Sequence, residues 1–183
     1  MIEIELKGYA DDRVFRNIRE AFEFMRKEIH EDMYFSHPCR DFSKTDEALR
    51  IRIKRFNGHF EALLTYKGPK IDNISKTRKE IEVTIDNVDA YIELLHALGF
   101  REVLTVKKSR EKYYVEKGVT ITLDEIEGLG KFVEIEKLET DERNIENEVK
   151  RLLKILESLG VKHFERKSYL ELLMEKTNLS EKS

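Results

Sequence analysis

Several short stretches of the sequence set charged side chains two residues apart. Glu3, Glu5 and Lys7 stand in IEIELKG, and Arg50, Arg52 and Lys54 in LRIRIKRF. Lys76, Arg78, Glu80 and Glu82 share SKTRKEIEVTI, and Lys108, Arg110 and Lys112 share VKKSREKYYV. Asp124 closes TITLD, and Glu134 and Glu136 alternate with apolar residues in FVEIEKL. Guanidinium forks and ammonium groups hold phosphate oxygens. Carboxylates hold Mg²⁺ or Mn²⁺, which take oxygen ligands and share them with phosphates. Together the two sets suit a chain of phosphates bound with a divalent cation.

A spacing of two is the period of a β-strand, whose side chains point alternately to opposite faces. Ile2, Ile4 and Leu6 fill the other face of the first stretch, and Leu49, Ile51 and Ile53 that of the second. An ordinary antiparallel sheet with one solvated face shows the same alternation. Two features weigh against that reading for the set as a whole. Lys and Glu are somewhat depleted in strands, and here the signs cluster. Bases gather on Arg50, Arg52, Lys76, Arg78, Lys108 and Arg110, and acids on Glu3, Glu5, Glu134 and Glu136. Like charges on neighbouring strands repel, and a ligand or metal relieves them. If the sheet closes, the charged face is its interior. About eight strands leave room inside for one slim ligand, and unpaired charges in a dry lumen are costly. The fold class is therefore read as α+β, with helices packed on the outer apolar face of the sheet.

Helical spacing of Val14, Phe15, Ile18, Phe22, Met25 and Ile29 predicts an amphipathic helix over residues 11–31, capped by Asp11 or Asp12. A second helix runs through VDAYIELLHALGF between Asn87 and Gly99, and a third ends at Gly160. A short last helix starts at Ser168, and residues 66–77 read as the longest loop. The expected organisation is one domain over residues 1–173 followed by a polar tail, 174–183.

The chain has 183 residues and a net charge of −3, so no basic excess draws it to nucleic acid. A single cysteine, Cys39, rules out an internal disulfide. No export signal or bilayer-spanning apolar run is visible, which gives the cytoplasm as the expected location. His30, His37, His59, His96 and His163 show no ligand spacing and are read as surface or satisfied residues. Neither a Walker-type loop nor a glycine-rich dinucleotide fingerprint is present, so phosphates must be held by side chains.

At this point the motifs match a family. EIELK resembles the Glu-x-Glu-x-Lys signature of the CYTH family, the triphosphate tunnel metalloenzymes, which includes class IV adenylyl cyclases, thiamine triphosphatases and inorganic triphosphatases. LRIRIK, TYKGP, KTRKEIE, KKSR, LDEIEGLGKFVEIE and KSYLELL each resemble a family block, in order, from Glu3 to about Leu172. The resemblance implies a closed antiparallel β-barrel of about eight strands, forming a tunnel with helices packed outside. It also implies metal binding by Glu3, Glu5, Asp124, Glu134 and Glu136, with Mg²⁺ or Mn²⁺ as cofactor. It implies triphosphate binding by Lys7, Arg50, Arg52, Lys67, Lys76, Arg78, Lys108, Arg110 and Lys167, and a catalytic set of Glu5, Lys7, Glu134 and Glu136. DMYF, Asp32 to Phe35, also resembles a family block, with strand packing an equal reading. The implied substrate is ATP, thiamine triphosphate or tripolyphosphate. The layout looks closest to the cyclase-like branch, so conversion of ATP to cyclic AMP and pyrophosphate leads. Hydrolysis of a terminal phosphate and non-catalytic binding of nucleotide or polyphosphate follow it, and association as a homodimer is left open.

Overall fold

The computed structural model describes residues 2–70, 78–139 and 144–180, with side chains over 4–69, 78–138 and 144–177. Lys76 and the side chain of Glu3 lie outside the described residues. The elements in chain order are β1 (Ile2–Tyr9), α1 (Asp12–Ala21), β2 (Glu23–Ser36), α2 (Phe42–Thr45), β3 (Ala48–Phe56), β4 (His59–Lys70) and β5 (Arg78–Ile85). There follow α3 (Val88–Ala97), β6 (Arg101–Glu116), β7 (Val119–Ile126), β8 (Gly130–Glu139), α4 (Ile145–Ser158) and α5 (Tyr169–Ser180). The strands form a closed antiparallel barrel in the order β1-β5-β4-β3-β2-β6-β7-β8, the closed tunnel that the family resemblance implies. Among the described residues, no helix is long and apolar enough to cross a membrane.

The apolar face of the barrel points outward and is covered by helices. Ile4, Leu6, Ile121, Leu123, Val133 and Ile135 pack against Val14, Phe15 and Ile18 of α1 and Val149, Leu152 and Leu156 of α4. Burial of each such side chain contributes about 1.5–3 kcal/mol. On the far wall α3 brings Leu95 onto Phe35, Ile51, Ala62 and Ile85. Caps fix where the helices begin: the Val14 N–H donates to Asp11 Oδ1 at 2.9 Å, and the Ala90 N–H to Asn87 Oδ1 at 3.1 Å. Gly99 and Gly160, with φ of 87° and 99°, follow α3 and α4, where a left-handed residue is wanted.

The first helix is shorter than its periodicity predicts. It stops at Ala21, and Phe22 is already extended, with φ −128° and ψ 153°. Residues 23–36 form β2, which pairs along much of its length with both β3 and β6. Met25 and Ile29 fall at helical spacing from Phe22, yet both are exposed on the outer side of a strand. The long-range ladders on both sides of β2 outweigh local periodicity here. This correction moves Glu28 and His30 from a helix surface into the wall of the lumen, next to Asp32.

One part of the lumen is apolar. Tyr34, Val106, Ile126 and Phe132 continue the inward faces of β2, β6, β7 and β8, and Tyr169 of α5 packs onto them. The start of α5 is held by a capping box: the Glu171 N–H donates to Ser168 Oγ at 3.1 Å, and the Ser168 N–H to Glu171 Oε2 at 2.6 Å. The chain leading to it lies along β1, where the Glu165 N–H donates to the Lys7 carbonyl at 2.8 Å. Gly8 permits that approach, because a Cβ there would stand 2.4 Å from Val161 Cγ1.

Candidate functional site

The barrel encloses a cavity of about 1010 Å³, walled by the charged faces of the strands and by one side of α5. On β1 and β8, register sets Glu5 beside Glu136 and Lys7 beside Glu134. Carboxylate oxygens of Glu5, Glu134 and Glu136 all lie within 4.8 Å of one another, a convergence set by strand alternation and this pairing. An all-carboxylate donor set fits a hard divalent cation such as Mg²⁺ or Mn²⁺, and lacks the imidazole and thiolate typical of softer metals.

Arg110 of β6 holds this cluster together. Its Nε donates to Asp124 Oδ1 at 2.6 Å, Nη1 donates to Glu136 Oε1 at 3.2 Å, and Nη2 bonds Glu134. Asp124 is fully buried, and it also accepts from the Tyr169 hydroxyl at 2.9 Å. Burial alone would raise the Asp124 pKa, but the Arg110 and Lys108 charges hold it below the usual carboxylate range. Asp124 is not one of the three converging carboxylates, and it shares Arg110 Nη2 with Glu134.

A second array lies on β3, β2, β4 and β5. Arg52 forks onto Asp32, with Nε and Nη2 each 2.6 Å from a carboxylate oxygen, and Arg50 Nη1 approaches Asp32 at 3.6 Å. Asp32 is fully buried, yet the two guanidiniums outweigh desolvation and hold its pKa far below the usual range. Lys67 pairs with Glu80, and Arg78 Nη1 donates to the Gly68 carbonyl at 3.3 Å. The expected separation of signs is therefore replaced by interleaving. Bases and acids on adjacent strands neutralise one another across the lumen, so like-charge repulsion is relieved inside the protein itself.

Arg50, Arg52, Lys67, Arg78, Lys108 and Arg110 all reach the cavity wall, together with Glu5, Glu134 and Glu136. Lys108 is buried, and desolvation followed by the Arg110 charge brings its pKa down to about 8. Two expected ligands are placed elsewhere. The Lys7 ammonium is buried beneath the start of α5, 4.1 Å from the centre of the Tyr169 ring, and bonds the Lys167 carbonyl. The Lys167 ammonium pairs instead with Glu175 at 2.8 Å, on the exposed side of α5.

Periodicity hides two lumen residues, Glu28 and His30, because they fall within the stretch that reads as a helix; Asp32 lies just beyond it, in the DMYF block. The signal that finds them is a second alternation in EIHEDMY, where every other residue is polar, together with the DMYF block. His30 is only 1% exposed, which removes the surface alternative in its reading, and its Nε2 is bonded to Glu28. Burial first, and then the charges of Arg52, Lys108 and Arg110, bring its pKa from 6.5 down to about 3. A histidine whose native pKa is depressed stabilises the fold above its unfolded pKa. That contribution is lost as pH falls from 6.5 towards about 3, with a limiting slope of about 1.4 kcal/mol per pH unit for one proton. His30→Gln is expected to lessen the fall in stability between pH 6.5 and about pH 4.5, read from urea midpoints. Identical slopes for the two proteins would mean that the native ring is already protonated.

Comparison with known proteins gives a consistent picture. A family model described as CYTH domain matches residues 1–169. A Methanocaldococcus jannaschii protein carrying the name putative adenylate cyclase is 42% identical over 177 residues, covering 94% of this chain and 98% of its own. The solved structure of the PH1819 protein from Pyrococcus horikoshii superposes with a TM-score of 0.94 at 71% identity, covering 95% of this chain and 99% of that one. HpAC1 from Hippeastrum, described as a putative adenylyl cyclase with a dominant triphosphatase activity, shares the fold at a TM-score of 0.68. It is 20% identical, over 96% of this chain and 95% of that one.

Proposed function

Because the chain belongs to the CYTH domain family, we propose that its tunnel binds a triphosphate-bearing small molecule with Mg²⁺ or Mn²⁺ and acts as an adenylyl cyclase, giving cyclic AMP and pyrophosphate from ATP. The observation that carries this reading is the convergence of Glu5, Glu134 and Glu136 within 4.8 Å, beside a wall of guanidinium and ammonium groups. A pure anion binder gains nothing from carboxylates next to its ligand. The 42% identical relative named as an adenylate cyclase supports the choice of reaction.

In this reading Glu5, Glu134 and Glu136 hold the cation, which supplies charge neutralisation and an ordered coordination sphere. Arg50, Arg52, Lys67, Arg78 and Lys108 hold phosphate oxygens, fixing the chain of phosphates along the lumen. Arg110 spans both parts, since its guanidinium already touches Glu134 and Glu136. Asp124 and Tyr169 orient that guanidinium from behind. Lys7 acts as a positioning residue through Tyr169 and the Lys167 carbonyl. The protein works as one domain, residues 1–173, in the cytoplasm.

Hydrolysis of the terminal phosphate is the second reading, favoured by the activity described for HpAC1. Product analysis separates the two. Incubation with Mg²⁺ or Mn²⁺ and ATP, thiamine triphosphate or tripolyphosphate in turn yields cyclic AMP in the first case and orthophosphate in the second. Absence of turnover on all three would remove both.

Ligand binding is also expected to raise the melting temperature. Only the folded barrel assembles the site, so tripolyphosphate with a divalent cation, at 100 times its dissociation constant, adds about 2.7 kcal/mol. A thermal-shift titration that stays flat at millimolar ligand would count against the tunnel as a triphosphate site.

A further inference from the structure

The lumen face of β2 carries a pair of side chains that the carboxylate–arginine machinery leaves unused. Glu28 and His30 both belong to the cavity wall, and His30 Nε2 stands 2.5 Å from Glu28 Oε2. Arg26 Nε donates to the other Glu28 oxygen at 2.5 Å. The remaining ring nitrogen, His30 Nδ1, is buried without a hydrogen-bond partner among the described residues.

The neighbours settle which nitrogen carries the proton. An ionised carboxylate only accepts, so Nε2 is the donor and Nδ1 presents a lone pair. The register neighbours of His30 are Lys54 on β3 and Lys108 on β6, both bases that line the cavity. A second proton or a metal ion at Nδ1 is opposed by these ammonium groups and by the nearby Arg52 and Arg110. Phosphate oxygens only accept and cannot satisfy a lone pair either. The group that can is a neutral donor: water, or a ligand hydroxyl or amino group that takes its place. Leaving a buried acceptor unpaired is unfavourable, and a site built this way discriminates strongly against ligands that lack the donor.

We propose that His30 Nδ1 accepts a hydrogen bond from a hydroxyl or amino group on the organic part of the substrate, so that the tunnel selects a nucleoside triphosphate over inorganic polyphosphate. This rests on the triphosphate reading above. Glu28 and Arg26 then act as positioning residues that hold the tautomer.

Calorimetry with ATP and with tripolyphosphate, each with Mg²⁺, tests it. His30→Phe removes the acceptor and is expected to weaken ATP binding about tenfold while leaving tripolyphosphate within about twofold. His30→Gln, which keeps a donor for Glu28 and an acceptor, is expected to restore ATP binding. Equal losses for both ligands, or no loss for ATP, would overturn the proposal. The 2′-deoxy, 3′-deoxy and 6-deamino analogues of ATP identify the donor, and at least one must bind wild type and His30→Phe alike. If none does, the proposal fails. Nitrogen NMR of the wild-type imidazole needs no variant: the Nδ1 signal should move with ATP and stay with tripolyphosphate, and identical shifts would overturn the assignment. Wild type that binds neither ligand overturns the triphosphate reading itself, a result distinct from all of these.

Discussion

Glu134→Gln and Glu136→Gln are each expected to lower turnover by at least about 100-fold, the equivalent of roughly 3 kcal/mol of transition-state stabilisation. Both residues project into the cavity from β8, and with Glu5 they form the only group of three converging acids among the described residues. Glutamine keeps the side-chain size and an acceptor oxygen for Arg110, so the local geometry survives. What is lost is a negative charge that a divalent cation requires. Triphosphate binding without metal is expected to persist or strengthen, because a carboxylate that repels phosphate is gone. An exposed strand residue with no such role would change either measurement little. Rates measured against cation concentration, with metal-free isotherms beside them, decide the matter. Wild-type turnover with an unchanged metal requirement in both variants would end the catalytic assignment.

Arg110→Ala should produce the largest loss of stability. The guanidinium is the shared partner of Asp124, Glu134 and Glu136, and Asp124 is fully buried. Removing one side of a buried ion pair leaves uncompensated charge and costs about 3–5 kcal/mol. At about 2–4 °C per kcal/mol for a chain of this size, the melting temperature should fall by about 6–20 °C. Two conditions should restore part of the loss. A divalent cation can neutralise the carboxylates that have lost the guanidinium. Lower pH can too: without the arginine their native pKa values rise above those of the unfolded chain, so protonation favours the native state. In wild type the sign is opposite. Asp32 and Asp124 are held below their unfolded values, and acid removes that contribution. Calorimetric melts of the variant with and without Mg²⁺, at neutral and mildly acid pH, test both. An unchanged melting temperature, or a loss that neither cation nor acid reverses, would contradict the ion-pair account.

Much of the barrel is legible in the sequence, because a two-residue period combined with a closed sheet has one geometric solution. Ile4 and Leu6 can only face the helices if Glu5 faces the lumen. The pairing of Glu5 with Glu134 and Glu136 follows once β1 and β8 lie side by side, a neighbour relation that spacing alone does not supply. β2 was hidden for a physical reason. Met25 and Ile29 extend the apolar stripe of α1 past Ala21, and the information that ends the helix lies in the distant strands β3 and β6. The internal pairing of the lumen is equally invisible: which acid meets which base depends on register, as Asp32 beside Arg52 shows. Lys7 illustrates a further limit. Its position in EIELK puts it on the inward face, but only the path of residues 163–169 decides that an aromatic ring and a carbonyl cover it.

The three carboxylates gathered on Arg110 compete with any phosphate for the same guanidinium. While Glu134 and Glu136 hold that guanidinium, it is a poorer partner for a phosphate; on the proposed reading a cation that took those carboxylates would release it to the substrate. Two ligands that each free a partner for the other are positively coupled, and the coupling is reciprocal: the factor by which cation strengthens substrate binding is the factor by which substrate strengthens cation binding. On the proposed reading, cation concentration would act as a gate on substrate affinity, written in the salt bridges from Arg110 to Glu134 and Glu136.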